Sequence, residues 1–231
     1  EVIHWGVDTE MFYPNDEARE TETRLLLAVG RLSARKGYGS LLRAFAEVKK
    51  RRPNTELLIV GRGNLRRRLE KQAKKLGIAD SVRIDSGMPF DELAAEFRRA
   101  DLVVYPSYYE GQGLIPLEAM ASGTPVATVD HGPLPEMVDE SVGTLFTMAN
   151  TDSMSSAILT LLADPEGLAA RGRAGRERVV ERFTYGHNAE RFNVILGCVL
   201  ARGPAKNRPG NSGQRDQQKA VGWIRDGSPM V

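Results

Sequence analysis

Four short, largely apolar runs constrain this chain more than anything else in it: Leu25 to Val29, Leu57 to Val60, Leu102 to Tyr105 and Pro125 to Val129. They are too short for helices and do not alternate polar with apolar, the pattern of strands buried on both faces. Val82 to Ile84 and Gly143 to Phe146 read as two further, weaker strands. Between the runs lie segments of helical spacing. Tyr38 to Lys50 carries Leu41, Leu42, Phe45, Ala46 and Val48 on one side; Leu65 to Leu76 follows Asn64 as its expected cap; Asp91 to Arg99 follows Pro89. Ser153 to Leu162, Pro165 to Phe183 and Asn188 to Leu200 complete the helices. Strand–helix alternation with short connections predicts an α/β chain of right-handed crossovers: a parallel sheet with helices on both faces.

Residues 1–24 read as an N-terminal linker, extended through Trp5, turning at Gly6-Val7-Asp8, then a loop from Asn15 to Arg24. Residues 25–200 form the domain, and 201–231, rich in Gly, Pro, Asn, Gln and charge, are expected to be a disordered tail. A formal net charge of +2 does not by itself argue for nucleic acid. The basic segment Arg66, Arg67, Arg68, Lys71, Lys74 and Lys75 has no interleaved aromatics, and a solvated helix face accounts for it. One cysteine, Cys198, excludes an internal disulfide, and His4, His131 and His187 have no metal-ligand spacing with it. No apolar run reaches the roughly 18 residues of a membrane span. The sequence starts at Glu1 without a charged-then-apolar leader, so a cytoplasmic piece lacking upstream sequence is expected.

In a parallel sheet, ligands bind outside the carboxyl ends of the strands. Gly30-Arg31, Gly61-Arg62-Gly63, Gly87-Met88 and Tyr108 to Gly113 all follow strand ends and should share one rim. Arg31 and Lys36, in the first of these loops, suit a diphosphate, the arginine gripping it bidentately. Gly111 and Gly113 precede a helix whose N–H groups an anion can approach. Glu110 lies in the loop ahead of that helix and Glu118 more than a turn inside it, where an acid in an apolar helix needs a hydroxyl or cation partner. A phosphorylated ligand with hydroxyls fits this set. The lone Gly61-x-Gly63 does not make a dinucleotide fingerprint, because the position needing a third glycine is Arg66.

From about Ile3 to Phe183 these residues resemble the C-terminal domain of retaining glycosyltransferases of family 4, which have the two-domain GT-B fold of Rossmann-like halves. The most specific part is a Glu-x7-Glu signature, Glu110 to Glu118, within PSYYEGQGLIPLEAMASGTPV. GVDTEMFYP, VGRLSARKG, VGRGNLRRRL and ADLVVYPS occur in the family's order. The resemblance implies that Arg31 and Lys36 bind the donor diphosphate and that the N–H groups at Gly113 and Leu114 meet its distal phosphate. It implies that Glu110 is the catalytic acid residue against the donor sugar and Glu118 the ribose acceptor. Gly30, Gly87, Met88 and Gln112 are candidates for the sugar or base pocket, and Gln112, where the family usually has an aromatic, implies a more polar sugar end. Gly132-Pro133 and Asp139-Glu140 are further departures from the family's glycine motifs.

The implied activity is transfer of a sugar from a UDP- or GDP-sugar with retention, without metal or cofactor. The implied partner is an acceptor-binding N-terminal domain in cis, through which any peripheral membrane contact would run. The isolated chain is then expected to bind donor without transferring sugar. Two other readings stay open: a nucleotide-sugar epimerase of the same fold, and a non-catalytic nucleotide-sugar binding module.

Overall fold

The computed structural model describes residues 3–15 and 22–201. The loop expected over Asn15 to Arg24 lies largely, and the tail from 202 onward wholly, outside the described residues. The chain divides into two compact units, Glu1–Arg191 and Phe192–Val231. The first carries the sheet; of the second, residues 192–201 are described, and they are helical.

The strands are β1 (Arg24–Val29), β2 (Thr55–Val60), β3 (Val82–Asp85), β4 (Leu102–Tyr105), β5 (Val126–Val129) and β6 (Gly143–Phe146). The helices are α1 (Tyr38–Arg51), α2 (Arg66–Lys75), α3 (Phe90–Arg99), α4 (Leu114–Ala121), α5 (Thr151–Ala163), α6 (Pro165–Arg182) and α7 (Tyr185–Ala201). All strand pairs are parallel, in the order β3-β2-β1-β4-β5-β6. The order reverses between β1 and β4, so the loops that follow these two strands leave the sheet in opposite directions and open a crevice between them.

Burial explains the composition of each layer. β4 and β5 are buried along their whole length and β1 along all but Arg24, as expected for strands covered on both faces. α1 packs on α2 and α5, and α4 packs on α3 and α6, giving the sheet its two helical layers. α1 turns Leu41, Leu42, Phe45 and Val48 inward and keeps Lys49, Lys50 and Arg51 in its last turn, where cations complement the helix dipole. α4 buries Pro116, Leu117, Ala119, Met120 and Ala121, which leaves Glu118 as the acid of an otherwise apolar helix.

Two local expectations give way to tertiary contacts. Asn64 does not cap α2: the cap position is Leu65, without a side-chain cap, and the Leu65 N–H donates to the Leu32 carbonyl at 3.3 Å. The neighbouring loop takes over the work of a cap. The turn expected at Gly6-Val7-Asp8 falls instead just after Asp8, whose carboxylate accepts the N–H groups of Glu10 and Met11 at 3.0 Å. Val7 itself is buried and paired with Thr184, its N–H donating to the Phe183 carbonyl at 2.8 Å. Smaller shifts occur at element ends: β1 starts at Arg24, and Ala201 closes α7 rather than opening the tail.

The N-terminal segment is held to the domain by one side chain above all. The guanidinium of Arg176, on α6, donates to the carbonyls of Phe12 at 2.8 Å, Ala121 at 2.9 Å and Thr9 at 3.2 Å. Removing it leaves three carbonyls short of a charged donor, so Arg176→Ala is expected to destabilise the domain by about 2–3 kcal/mol. A denaturant titration measures this, and an unchanged midpoint would mean that the segment is held by other contacts.

Candidate functional site

The crevice at the strand-order reversal is built from two loops that touch. Gly37 has φ +67°, and a Cβ there would lie 2.2 Å from the Pro106 carbonyl oxygen, so the close approach of the β1–α1 and β4–α4 loops requires glycine. The Tyr108 N–H donates to the Arg35 carbonyl at 2.8 Å, and the hydroxyls of Tyr108 and Ser40 are 2.8 Å apart. These bonds fix where the β4–α4 loop sets out. Its end is fixed by Gly113, the N-cap of α4, at φ +97°, a value a side chain would strain. A Cβ at Gly111 would meet nothing within 4 Å, so local crowding imposes no glycine there.

Two adjoining cavities of about 800 Å³ each occupy the rim, a volume usual for small-molecule sites. Gly30 and Arg31 line both. One is closed by Lys36, Tyr105, Glu110 and the start of α4 at Gly113 and Leu114; the other by Gly61, Gly63, Gly87 and Met88. The loops expected to converge from distant parts of the sequence therefore do so. Arg31 is exposed, and its guanidinium has no partner among the described residues. Lys36 donates to Glu110 and, at 3.0 Å, to the Tyr105 hydroxyl, with its ammonium 5.1 Å from the Tyr105 ring centre.

The two carboxylates are held in opposite electrostatic states. Burial pushes the Glu110 carboxyl up, but hydrogen bonds from Lys36, Ser107 and Tyr105, together with the Lys36 charge, outweigh it and hold the group below the ordinary carboxylate range. Glu118 has no such help. Burial alone pushes it up to about 7, and its Oε2 is enclosed with no hydrogen-bond partner among the described residues. An enclosed acceptor without a donor is costly, and Glu118 lines neither of the two cavities.

Gln112 lines the same cavity, but its amide is engaged: it accepts the Trp5 N–H at 2.5 Å and donates to the Trp5 carbonyl at 3.0 Å. The polar sugar end expected from this residue is therefore directed at the N-terminal segment. Two contributors escaped the sequence reading, Tyr105 and Tyr38, whose side chains are almost wholly buried. A tyrosine ending an aliphatic strand at the ligand rim was the available signal for the first. Among the described residues no three His, Cys, Asp or Glu side chains form a metal-holding group, and no helix is long and apolar enough to cross a membrane.

Comparison with known proteins agrees with this geometry. The chain is 34% identical over 207 residues to the GDP-mannose-dependent α-(1-6)-phosphatidylinositol monomannoside mannosyltransferase of Mycolicibacterium smegmatis, covering 83% of this chain and 54% of the relative. It is 38% identical over 187 residues to the D-inositol 3-phosphate glycosyltransferase of Segniliparus rotundus, covering 76% of this chain and 42% of the relative. The chain thus spans about half the length of these relatives. Among solved structures, sucrose-phosphate synthase from Thermosynechococcus elongatus superposes with a TM-score of 0.80 at 31% identity, over 87% of this chain and 53% of that one. The model of one family, "Glycosyl transferases group 1", matches residues 10–178, and the chain belongs to that family.

Proposed function

We propose that this chain is the donor-binding half of a retaining glycosyltransferase that takes a sugar from a nucleoside diphosphate sugar. The observation that carries the reading is Glu118: a half-buried carboxylate of α4 whose Oε2 is enclosed without a hydrogen-bond partner among the described residues, on the helix whose N-terminus opens on the cavity that Arg31 and Lys36 line. In this reading Arg31 and Lys36 bind the diphosphate, the N–H groups at Gly113 and Leu114 meet its distal phosphate, and Glu118 accepts the ribose hydroxyls. When the bond between the anomeric carbon and the phosphate oxygen breaks, negative charge grows on that oxygen, and the cations and helix dipole stabilise it. No metal is required by this arrangement. Glu110, kept ionised, faces the donor sugar. The mannosyltransferase relative is named for GDP-mannose, which makes that donor the first to test. An acceptor-binding domain in cis would hold the attacking hydroxyl, and such orientation is worth about 7–11 kcal/mol.

UDP or GDP is expected to protect the protein against thermal unfolding in the presence of a chelator. At about 100 times its dissociation constant the ligand should add roughly 2.7 kcal/mol. Protection that appears only with magnesium or manganese would remove the metal-free part of the reading. Arg31→Ala and Lys36→Ala should each weaken diphosphate binding by about 1.5–3 kcal/mol while leaving nucleoside binding nearly unchanged. Calorimetric titration with both ligands separates the two cases, and equal losses would show that the pair does not read phosphate.

The raised Glu118 makes a pH-dependent prediction. An acid whose folded pKa lies above its unfolded value binds more protons when folded, so stability falls as pH rises from the unfolded pKa towards about 7 and then levels. Glu118→Gln removes that fall. The variant should match wild type near pH 4.5 and exceed it at pH 8 by about 1–3 kcal/mol, roughly 2–4 °C in Tm for each kcal/mol. The same variant should lose affinity for the nucleoside diphosphate, because an amide keeps one acceptor oxygen. Identical melting curves at both pH values would show that Glu118 has a partner.

A further inference from the structure

The cleft pairs its cation with its acid. Lys36 is paired with Glu110, and its ammonium also donates to the Tyr105 hydroxyl at 3.0 Å, so the phenol and the carboxylate meet on one cation. Lys36 and Glu110 are 20% and 15% exposed at their side chains, so this is a shielded pair. A shielded carboxylate that loses its cation is left with an uncompensated charge. That loss follows from the reading given under Proposed function, on which this inference rests: a diphosphate that draws Lys36 to itself takes it from Glu110.

The groups facing Glu110 from each packed element are few. The β1–α1 loop brings Lys36, β4 brings Tyr105, the β4–α4 loop brings Ser107, and α1 brings Tyr38, while the charge of Glu118 on α4 acts on Tyr105. Lys36 is the cation among them. Tyr38 is buried, and its hydroxyl has no hydrogen-bond partner among the described residues. Once Lys36 turns to phosphate, the Tyr105 hydroxyl is released from the same ammonium as the carboxylate and is free to donate to it, whereas the Ser107 hydroxyl donates to the carbonyls of Arg35 at 3.4 Å and Tyr109 at 3.5 Å. Of the two, Tyr105 is anchored at the end of a buried strand and is itself 2% exposed, so its hydroxyl cannot follow the lysine.

We propose that Tyr105 is a positioning residue that takes over Glu110 when Lys36 moves to the diphosphate, keeping the carboxylate oriented for a donor-sugar hydroxyl. Tyr105 does not touch the diphosphate in this scheme; it acts through Glu110. Its removal therefore affects recognition of the sugar and spares recognition of the diphosphate. The phenol also helps to hold Lys36 on Glu110, so its loss should, if anything, ease binding of a bare diphosphate.

The test is Tyr105→Phe in the full chain, which deletes one oxygen and keeps the ring. Calorimetry against GDP and GDP-mannose, and against UDP and UDP-glucose, gives the affinity ratio of sugar-bearing to bare ligand. The variant's ratio should fall by about threefold to tenfold relative to wild type, with diphosphate affinity unchanged or higher. The acid limb of sugar-nucleotide binding, measured as variant against wild type at each pH, should move upward, because Glu110 loses a donor that favours its charged form. Comparing the two proteins at each pH cancels the titration of Glu118 and of the ligand phosphate. A purely structural role would weaken both ligands together and leave the limb in place, and either result would overturn the proposal. Should the variant not fold, carbon NMR of the wild-type Glu110 carboxyl decides. The group should stay ionised at pH 5 in the sugar-nucleotide complex, and protonation there would equally overturn the assignment. Failure of wild type to bind either diphosphate would instead sink the donor-site reading, and this proposal with it.

Discussion

Lys36 and Glu110 are 74 residues apart in sequence and share a hydrogen bond, because two loops that leave the sheet on opposite sides of its reversal point are pressed together at their start. The pressing contact is backbone on backbone: Gly37 against the Pro106 carbonyl, and the Tyr108 N–H on the Arg35 carbonyl. Everything in the cleft depends on it. Lys36 directly precedes Gly37, and Glu110 lies two residues beyond Tyr108, so neither side chain has enough intervening backbone to wander. A parallel sheet supplies the crevice, but the tight seam between the loops sets the separation of the charges inside it.

That seam also explains why two acids eight residues apart behave so differently. Glu110 is on the loop side, where a lysine, a serine and a tyrosine converge on it. Glu118 is on the helix side, among residues that α4 turns into the core. One carboxylate has its charge settled before any ligand arrives, and the other has not. The site therefore combines a group ready to act with a group waiting for a partner, using the same side chain twice and varying only what surrounds it.

Much of this was legible in the sequence, and the reasons are specific. The runs at Leu25, Leu57, Leu102 and Val126 are strands because nothing but a doubly covered sheet hides so many aliphatic side chains in so few residues. Arg31, Lys36, Glu110 and Gly113 share one cavity because they all follow strand ends. What stayed hidden are contacts that no periodicity encodes. The Leu32 carbonyl, accepting from the Leu65 N–H, took the place of the Asn64 cap at the start of α2, Thr184 straightened the segment expected to turn at Val7, and Tyr105 passed for one more strand residue. Local propensity was consistent in each case, and a partner from elsewhere in the chain decided.

The clasp between Gln112 and Trp5 has a consequence for which changes the chain can accept. Gln112 meets Trp5 through the main-chain N–H and carbonyl, in the manner of one rung of a sheet, while the indole stands 67% exposed. The clasp therefore ignores the identity of residue 5: any amino acid that keeps its N–H can occupy it, and proline alone cannot. Position 112 is the reverse case. Its contact needs a donor and an acceptor on one planar group at one reach, which leaves glutamine almost no substitute. A single contact thus gives one of its ends freedom to drift and denies it to the other, 107 residues away.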